Sequence, residues 1–399
     1  MKKISLVLIC SFFIQITQAQ QALPERVITT GVPFLMVAAD ARSAGLGDQG
    51  VATSADGFSQ QWNAAKFAFA EKQQAVSLSY TPYLTGLVND ISLGQLTYYN
   101  RLNERSAFAG SLRYFSLGEI NLTDANGTST GAVAPNEFAI DGSYSLKLSE
   151  KFSMGIGARF INSALRIPDV NNDASAARTF AVDVSGFFQG EEVAYNDFNG
   201  RLRFGFNFQN LGPKINYDST IADKNSNFLP ANLKIGAGYD FAFDEYSKFT
   251  LSVEFAKLLV PTPQISNADD NFDYNSDGII DGQDFSDSIR DYRNINWTEG
   301  IFKSFNDAPG GLAEEMREVT YSIGTEYAYQ DSFAVRLGYF HESEVKGARQ
   351  FFSLGAGFKY TAVKVDVSYL FNASNIKSPL ENTLRFSLTI GFGDDYENY

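Results

Sequence analysis

Residues 384–392 read Leu384-Arg385-Phe386-Ser387-Leu388-Thr389-Ile390-Gly391-Phe392, apolar then polar or small at every step. A period of two is the period of a β-strand. Leu384, Phe386, Leu388, Ile390 and Phe392 therefore share one face, and Arg385, Ser387, Thr389 and Gly391 the other. The pattern recurs at Leu202–Gln209, Phe352–Tyr360 and Val363–Tyr369. A soluble sandwich alternates too, so one such strand decides little. Many of them, each about ten residues long and following a secretion signal, point to a transmembrane β-barrel.

The first residues have the form of a signal peptide, 1–19, with Lys2 and Lys3, an apolar run from Ile4 to Ile16, and Thr17-Gln18-Ala19 as cleavage site. Cys10 is the only cysteine and lies within that run, so the exported chain holds no disulfide. Packing and backbone hydrogen bonds must hold it, which a closed barrel supplies. The net charge of −14 argues against nucleic acid as a partner. No later stretch approaches the roughly eighteen consecutive apolar residues of a membrane-spanning helix. Aromatic residues make up 14% of the chain, which suits a lipid-facing wall with interfacial girdles.

Fourteen candidate strands follow: 75–84, 90–100, 105–117, 136–148, 151–163, 176–189, 201–211, 230–243, 247–258, 317–329, 332–342, 349–360, 362–372 and 382–392. Connections after even-numbered strands are mostly tight, while odd-numbered ones include 118–135, 164–175, 212–229 and 259–316. Short turns on one side and long loops on the other are the pattern of an outer-membrane barrel, with both ends of the wall on the periplasmic side. The expected fold is all-β, an antiparallel up-and-down barrel over 74–393 with a tail, 394–399. A lumen of this size is too wide for wall side chains alone to fill. Residues 20–73, which belong to no hairpin, are the candidate plug.

That segment carries Asp40-Ala-Arg42-Ser-Ala-Gly45-Leu-Gly47-Asp48-Gln-Gly50-Val-Ala-Thr-Ser-Ala-Asp56 and then Trp62-Asn63-Ala64-Ala65-Lys66. Its glycines suggest a phosphate loop, but no Gly-Lys-Ser/Thr closes it and no buried parallel strand precedes it. Arg42, Asp40 and Asp48 are expected to pair with lumen charges. The stretch resembles the N-terminal signature of the PorV family, outer-membrane shuttle proteins of type IX secretion built on a FadL-like barrel. Ala64 departs from the family pattern, which has proline there. The resemblance implies an outer-membrane protein of Gram-negative bacteria that is not an enzyme. It would bind cargo through the cargo's C-terminal domain at the translocon barrel and pass it to the surface attachment (sortase) complex. A FadL-like transporter of hydrophobic molecules is the alternative, and it requires an apolar pocket lined by plug residues such as Phe34, Leu35 and Met36.

Residues 273–284, on the 259–316 excursion, place Asp273, Asn275, Asp277, Asp281 and Asp284 at positions 1, 3, 5, 9 and 12 of a calcium loop. Gly278 stands at position 6 and the carbonyl of Ile279 at position 7, with Asp replacing Glu at 12. A structural Ca2+ stiffening this long loop is the expectation. The excursion also carries Leu258-Leu259-Val260, Ile295, Trp297, Ile301 and Phe302. Of these, Trp297, Ile301 and Phe302 are candidate contacts to a protein partner or to membrane lipid, against a loop folded back on its own barrel. A lipopolysaccharide hydrolase would need His341, the only histidine, but nothing in the sequence orients its ring.

Overall fold

The structure, a computed structural model, describes residues 26–83, 88, 90–124, 126–165, 176–217, 226–265, 272–374 and 383–396. The expected signal peptide, plug residues 20–25 and the last three tail residues lie outside the described residues. Fourteen antiparallel strands close into a barrel. In chain order they are β1 (Lys72–Pro82), β2 (Ile91–Arg101), β3 (Ser106–Leu117), β4 (Asn136–Lys147), β5 (Phe152–Ala164), β6 (Ala177–Gln189) and β7 (Asn199–Leu211). The second half comprises β8 (Asn232–Ala242), β9 (Ser247–Leu258), β10 (Val319–Tyr329), β11 (Phe333–His341), β12 (Gln350–Tyr360), β13 (Val363–Asn372) and β14 (Leu384–Asp395). A two-residue piece, Val193–Ala194, adds to the edge of β7.

Closure is made by β14 returning to β1, with Ser387 opposite Ser79 and Phe386 opposite Tyr80. No strand edge is left open to the hydrocarbon, where unpaired N–H and C=O groups are costly. The register keeps Leu384, Phe386, Leu388, Ile390 and Phe392 exposed on the outer face, while Arg385, Ser387 and Gly391 are buried and Thr389 is half-buried. Near the outer rim the lipid-side row becomes aromatic. His341 stacks on Tyr321 with ring centroids 4.7 Å apart, and Tyr339 packs on Phe352 at 4.9 Å.

Tight turns follow from local side-chain chemistry. Asn103 accepts hydrogen bonds from the amides of Arg105 and Ser106 at 2.9 and 3.0 Å, and Asp244 accepts from Tyr246 and Ser247, both at 2.7 Å. Gln330 and Asp331 both take positive φ, 53° and 50°, as a two-residue hairpin turn requires. On the opposite side the long connections carry two short ribbons, Ile120–Thr123 with Ser129–Val133 and Ile215–Asn216 with Ser226–Asn227. The longest, 259–318, holds helices α3 (Gly282–Asn294), α4 (Trp297–Lys303) and α5 (Leu312–Glu315).

The lumen is filled by the segment before β1. It contains a 3-10 turn (Pro33–Met36), α1 (Ala41–Gly45), α2 (Ser59–Trp62) and a second 3-10 turn (Ala64–Phe69). It threads the barrel lengthwise. At the long-loop end Arg26 pairs with Glu314, and the Gly31 amide donates to the Phe228 carbonyl at 2.9 Å. At the short-turn end the Ala70 carbonyl accepts from Arg101, and the amide of Tyr396 in the tail donates to Glu71 at 2.7 Å. β1 begins at Lys72, two residues inside the expected plug.

Reversing the polarity of one outward position tests the assigned face. Leu388→Arg near the middle of β14 should cost about 2–4 kcal/mol of barrel stability. Denaturant titration of the protein refolded into phospholipid vesicles reads this, and an unchanged midpoint would contradict the register.

Candidate functional site

Each plug element is fixed by the wall side chain facing it. Asp40 caps α1, its Oδ1 accepting from the Ser43 amide at 2.8 Å. Its Oδ2 accepts from the Trp62 indole at 2.7 Å, which ties α1 to α2. Asp40 thus holds the plug to itself and does not pair with a wall charge as the sequence suggested. A helix start and a buried indole both needed an acceptor, and one carboxylate serves both.

Arg42 and Asp48 do reach the wall. Arg42 bonds Asp56 of the plug at 2.8 Å and Glu326 of β10 at 3.1 Å. Glu326 also pairs with Arg336 of β11, which reaches Asp366 of β13 at 2.8 Å, with Lys364 at 3.7 Å from the same carboxylate. Asp48 accepts from Arg385 of β14 at 2.9 Å. Of these side chains Arg336, Arg385 and Asp366 are almost fully buried, while Lys364 is 28% exposed. Breaking one pair strands a charge in low dielectric, a loss of about 3–5 kcal/mol.

The plug backbone is satisfied the same way. Arg113 of β3 donates to the carbonyls of Phe34, Leu35 and Val37 at 2.7–2.9 Å. Glu254 of β9 accepts from the amides of Gly50 and Val51, both at 2.8 Å. Ser153 of β5 donates to the Ala65 carbonyl at 2.7 Å, and Asn207 of β7 to the Trp62 carbonyl at 2.7 Å. Thr81 of β1 donates to Ala39, while Ser387 of β14 accepts from Ala41. Asn63 donates to Val51 and to the wall carbonyl of Gly186, and its Oδ1 caps the turn that starts at Ala64 by accepting from Ala65 at 3.0 Å. That cap fixes the turn where the family has proline.

Two glycine contacts set how close the plug comes. Gly47 has φ 83°, and a Cβ on it would lie 2.7 Å from the Tyr339 carbonyl oxygen. A Cβ on Gly338 of β11 would run into the Gly47 amide. Gly45 lies against the backbone of Gly355 on β12, and the ring of Trp62 is covered by Lys234 at 4.3 Å.

Lys66 ends the stretch that begins at Trp62. It is fully buried, donating to the Gly50 carbonyl at 2.8 Å and the Thr53 hydroxyl at 3.0 Å. Phe34 and Leu35 are buried. They pack with Leu93, Ala139 and Ile161, and Met36 borders a cavity also lined by Asp48, Lys234, Glu254 and Arg349.

On the outer cap, Leu259 and Val260 are buried and the Leu259 amide donates to Ala231, so this part folds back on the barrel. Trp297 and Ile301 are half-buried, since Gly300 between them seats α4 against Phe228 and Pro261. Phe302 is 79% exposed. In the loop 273–284, Asp273 accepts from Asp277 and Gly278, Asp277 from Ile279, and Asp284 from Tyr274 and Asn275. Asp281 and Asp284 form a capping box at the start of α3. The chain bends round Gly278 at φ 86°. Among the described residues no three acidic, histidine or cysteine side chains gather as a metal cage. His341 has Tyr339 and Tyr321 as neighbours, and Glu342 turns the other way to pair with Arg349 at 2.8 Å.

A closed fourteen-strand barrel with an apolar outer wall and a lumen sealed by its own N-terminal segment is an outer-membrane barrel of the plugged class. Residues 18–265 match the description "Type IX secretion system protein PorV", and the chain belongs to the PorV family. Membership associates it with the outer-membrane part of type IX secretion. No curated protein matches the chain by sequence. Among solved structures it is similar to a TodX deltaS2S3 mutant monoaromatic hydrocarbon channel, with TM-score 0.50 and 12% identity over 88% of this chain and 99% of that one. The Pseudomonas putida toluene transporter TodX gives 0.49 and 12% over 92% and 98%. At such identity the likeness is one of fold.

The seal can be opened at one atom group. Gly338→Val should unseat the plug while leaving the wall closed. In planar bilayers the unsubstituted protein is expected to show no conductance steps and the variant discrete ones. A silent variant would mean the plug is not held where Gly47 meets β11.

Proposed function

We propose that the chain is a non-enzymatic, non-conducting carrier of type IX secretion. It would accept exported proteins through their C-terminal domain at the translocon barrel and deliver them to the surface attachment complex. The observation that carries this reading is the plug, whose backbone is bonded to strands on every side of the wall. With this segment occupying the lumen, the outer cap is the working surface of this reading. Apolar groups open to solvent there, Phe302 foremost, support contact with a protein partner. The transporter reading would need an apolar pocket, and Phe34 and Leu35 are buried in packing against Leu93, Ala139 and Ile161.

The loop 273–284 would hold one Ca2+ through Asp273, Asn275, Asp277, the Ile279 carbonyl, Asp281 and Asp284. The turn at Gly278 and the order of oxygen donors support this site, and the ion would act by stiffening the cap. Chelation by EGTA should then speed proteolysis within 272–284, and Asp273→Ala with Asp277→Ala should abolish the difference. Equal digestion with and without chelator would remove calcium from the account.

Deleting the gene, then assaying secretion and fatty-acid uptake in parallel, tests the carrier reading. Proteins bearing the C-terminal secretion domain are expected to accumulate in the periplasm with uptake unchanged. Normal secretion would overturn the carrier role, and lost uptake with normal secretion would establish the transporter.

A further inference from the structure

At the short-turn mouth the register of β12 and β13 sets Lys359 directly opposite Lys364. Their neighbours Phe358, Tyr360, Val363 and Val365 point outward, so both lysines share the inner face. The turn Thr361-Ala362 closes this hairpin, with Thr361 at φ 52°, and the Lys359 amide donates to the Ser332 carbonyl at 2.7 Å. Like charges directly opposite on one sheet face repel. Both side chains are half-buried. The Lys359 ammonium makes no ion pair or hydrogen bond among the described residues. Lys364 has Asp366 at 3.7 Å, and that carboxylate already holds Arg336 at 2.8 Å.

Both lysines line a cavity of about 190 Å³ between the plug at Ser54–Phe58 and the wall. Arg336 and Asp366 form its floor, lying across Gly357, where a Cβ would come within 2.5 Å of the Asp366 carboxylate. Its other carboxylates are engaged elsewhere. Asp56 holds Arg42, Glu326 holds Arg42 and Arg336, and Asp331 holds Lys248 at 3.4 Å. Glu71, the last of them, makes no ion pair with either lysine.

Elsewhere this fold answers converging cations with one bridging carboxylate. Glu318 takes Lys257 on one oxygen at 2.6 Å and Lys346 on the other at 2.9 Å. Glu326 stands likewise between Arg42 and Arg336. Lys359 and Lys364 converge in the same way, and no residue of the described chain spans them. We propose that this cavity binds a carboxylate carried by a polypeptide on the short-turn side, one oxygen to each ammonium. The donors select carboxylate over phosphate. The guanidinium forks of Arg42 and Arg336 are taken by Asp56, Glu326 and Asp366, which leaves two point-like ammoniums and no fork for a tetrahedral dianion. Ala75, Ala328 and Ala334 line the cavity between the charges, a surface suited to the methylene stem of a glutamate. The turns at Asp331-Ser332 and Thr361-Ala362 frame the cavity, so the group enters from solution at that end. This contact lies opposite the cap and stands whether or not the carrier reading holds.

Acylation of lysines by a water-soluble succinimidyl ester tests this, read residue by residue by mass spectrometry on the full chain in detergent. The probes are the blocked tripeptide acetyl-Ala-Glu-Ala-amide, its Gln counterpart and inorganic phosphate, each as a concentration series at matched ionic strength. A ligand at about twice its dissociation constant leaves about one third of the sites free. The Glu peptide should therefore slow labelling of Lys359 and Lys364 about threefold there, while Lys151, exposed at the same end, stays unchanged. The Gln peptide should not protect. Lys359→Met removes one of the two donors and should abolish protection at Lys364. Equal labelling across the Glu-peptide series overturns the proposal, as does protection by phosphate equal to or stronger than the peptide's. Labelling that rises on removal of residues 397–399 would make the chain's own tail the occupant and refute an outside ligand. Should Lys359→Met lose the heat-modifiable migration of the folded barrel, the Glu and Gln peptides on the unsubstituted protein decide.

Discussion

Everything in this molecule follows from the requirement that no backbone amide or carbonyl be left unpaired where water is absent. The wall meets it by closing β14 on β1. The plug cannot, because its short helical turns leave many carbonyls and amides without internal partners. The inward row of the barrel meets that need. Arg113 donates to three plug carbonyls, those of Phe34, Leu35 and Val37, and Glu254 accepts from two successive amides. The polar lumen is therefore matched to the plug it holds. It is a mould whose side chains match the irregular backbone of this particular segment.

This division of labour explains the charges. A buried Arg–Glu pair contributes little net stability, since desolvation offsets most of the attraction. Its effect is selectivity of placement. Arg42 can sit between Asp56 and Glu326 in one position only, and Asp48 can meet Arg385 only when Gly47 lies on the β11 backbone. Glycine sets the distance and the ion pairs set the register. A neutral plug of equal volume would have fewer ways to be wrong and fewer reasons to be right.

The wall was legible in sequence because its information is local. Period-two alternation and the parity of turn lengths located all fourteen strands to within a few residues, including the closing pair at Phe386. The plug's glycine signature was visible too, but its partners were not. Glu326 lies 284 residues from Arg42, and Glu254 lies 204 from Gly50. On their strands both read as ordinary inward polar positions. Asp40 was misread for the same reason, since the capping need and the indole that claim it become apparent only once α1 and α2 are packed. The direction of the plug also escaped sequence, because turn parity orients strands and has nothing to say about a segment outside the ladder.

The cap shows the same logic without lipid. Burial alone would favour the neutral forms of Glu314 and Glu315, yet hydrogen bonds from Lys346 and Lys257 hold both carboxyls below the ordinary glutamate range. Burial, with Glu315 and Glu318 close by, pushes the adjacent Asp307 up to about 6. Carboxylates from one stretch therefore differ in their readiness to ionise according to whether a cation from another element reaches them. In the lumen such pairs fix a segment that glycine contacts also fix. On the cap backbone amides reinforce them, Glu315 accepting from Asp307 and Ala308 at 2.7 and 2.9 Å and Glu314 from Gly310 at 2.8 Å, while Leu312 and Met316 remain exposed beside them. In both places ion pairs and backbone hydrogen bonds act together, so each carboxylate is held by the charge that reaches it and by the amides around it.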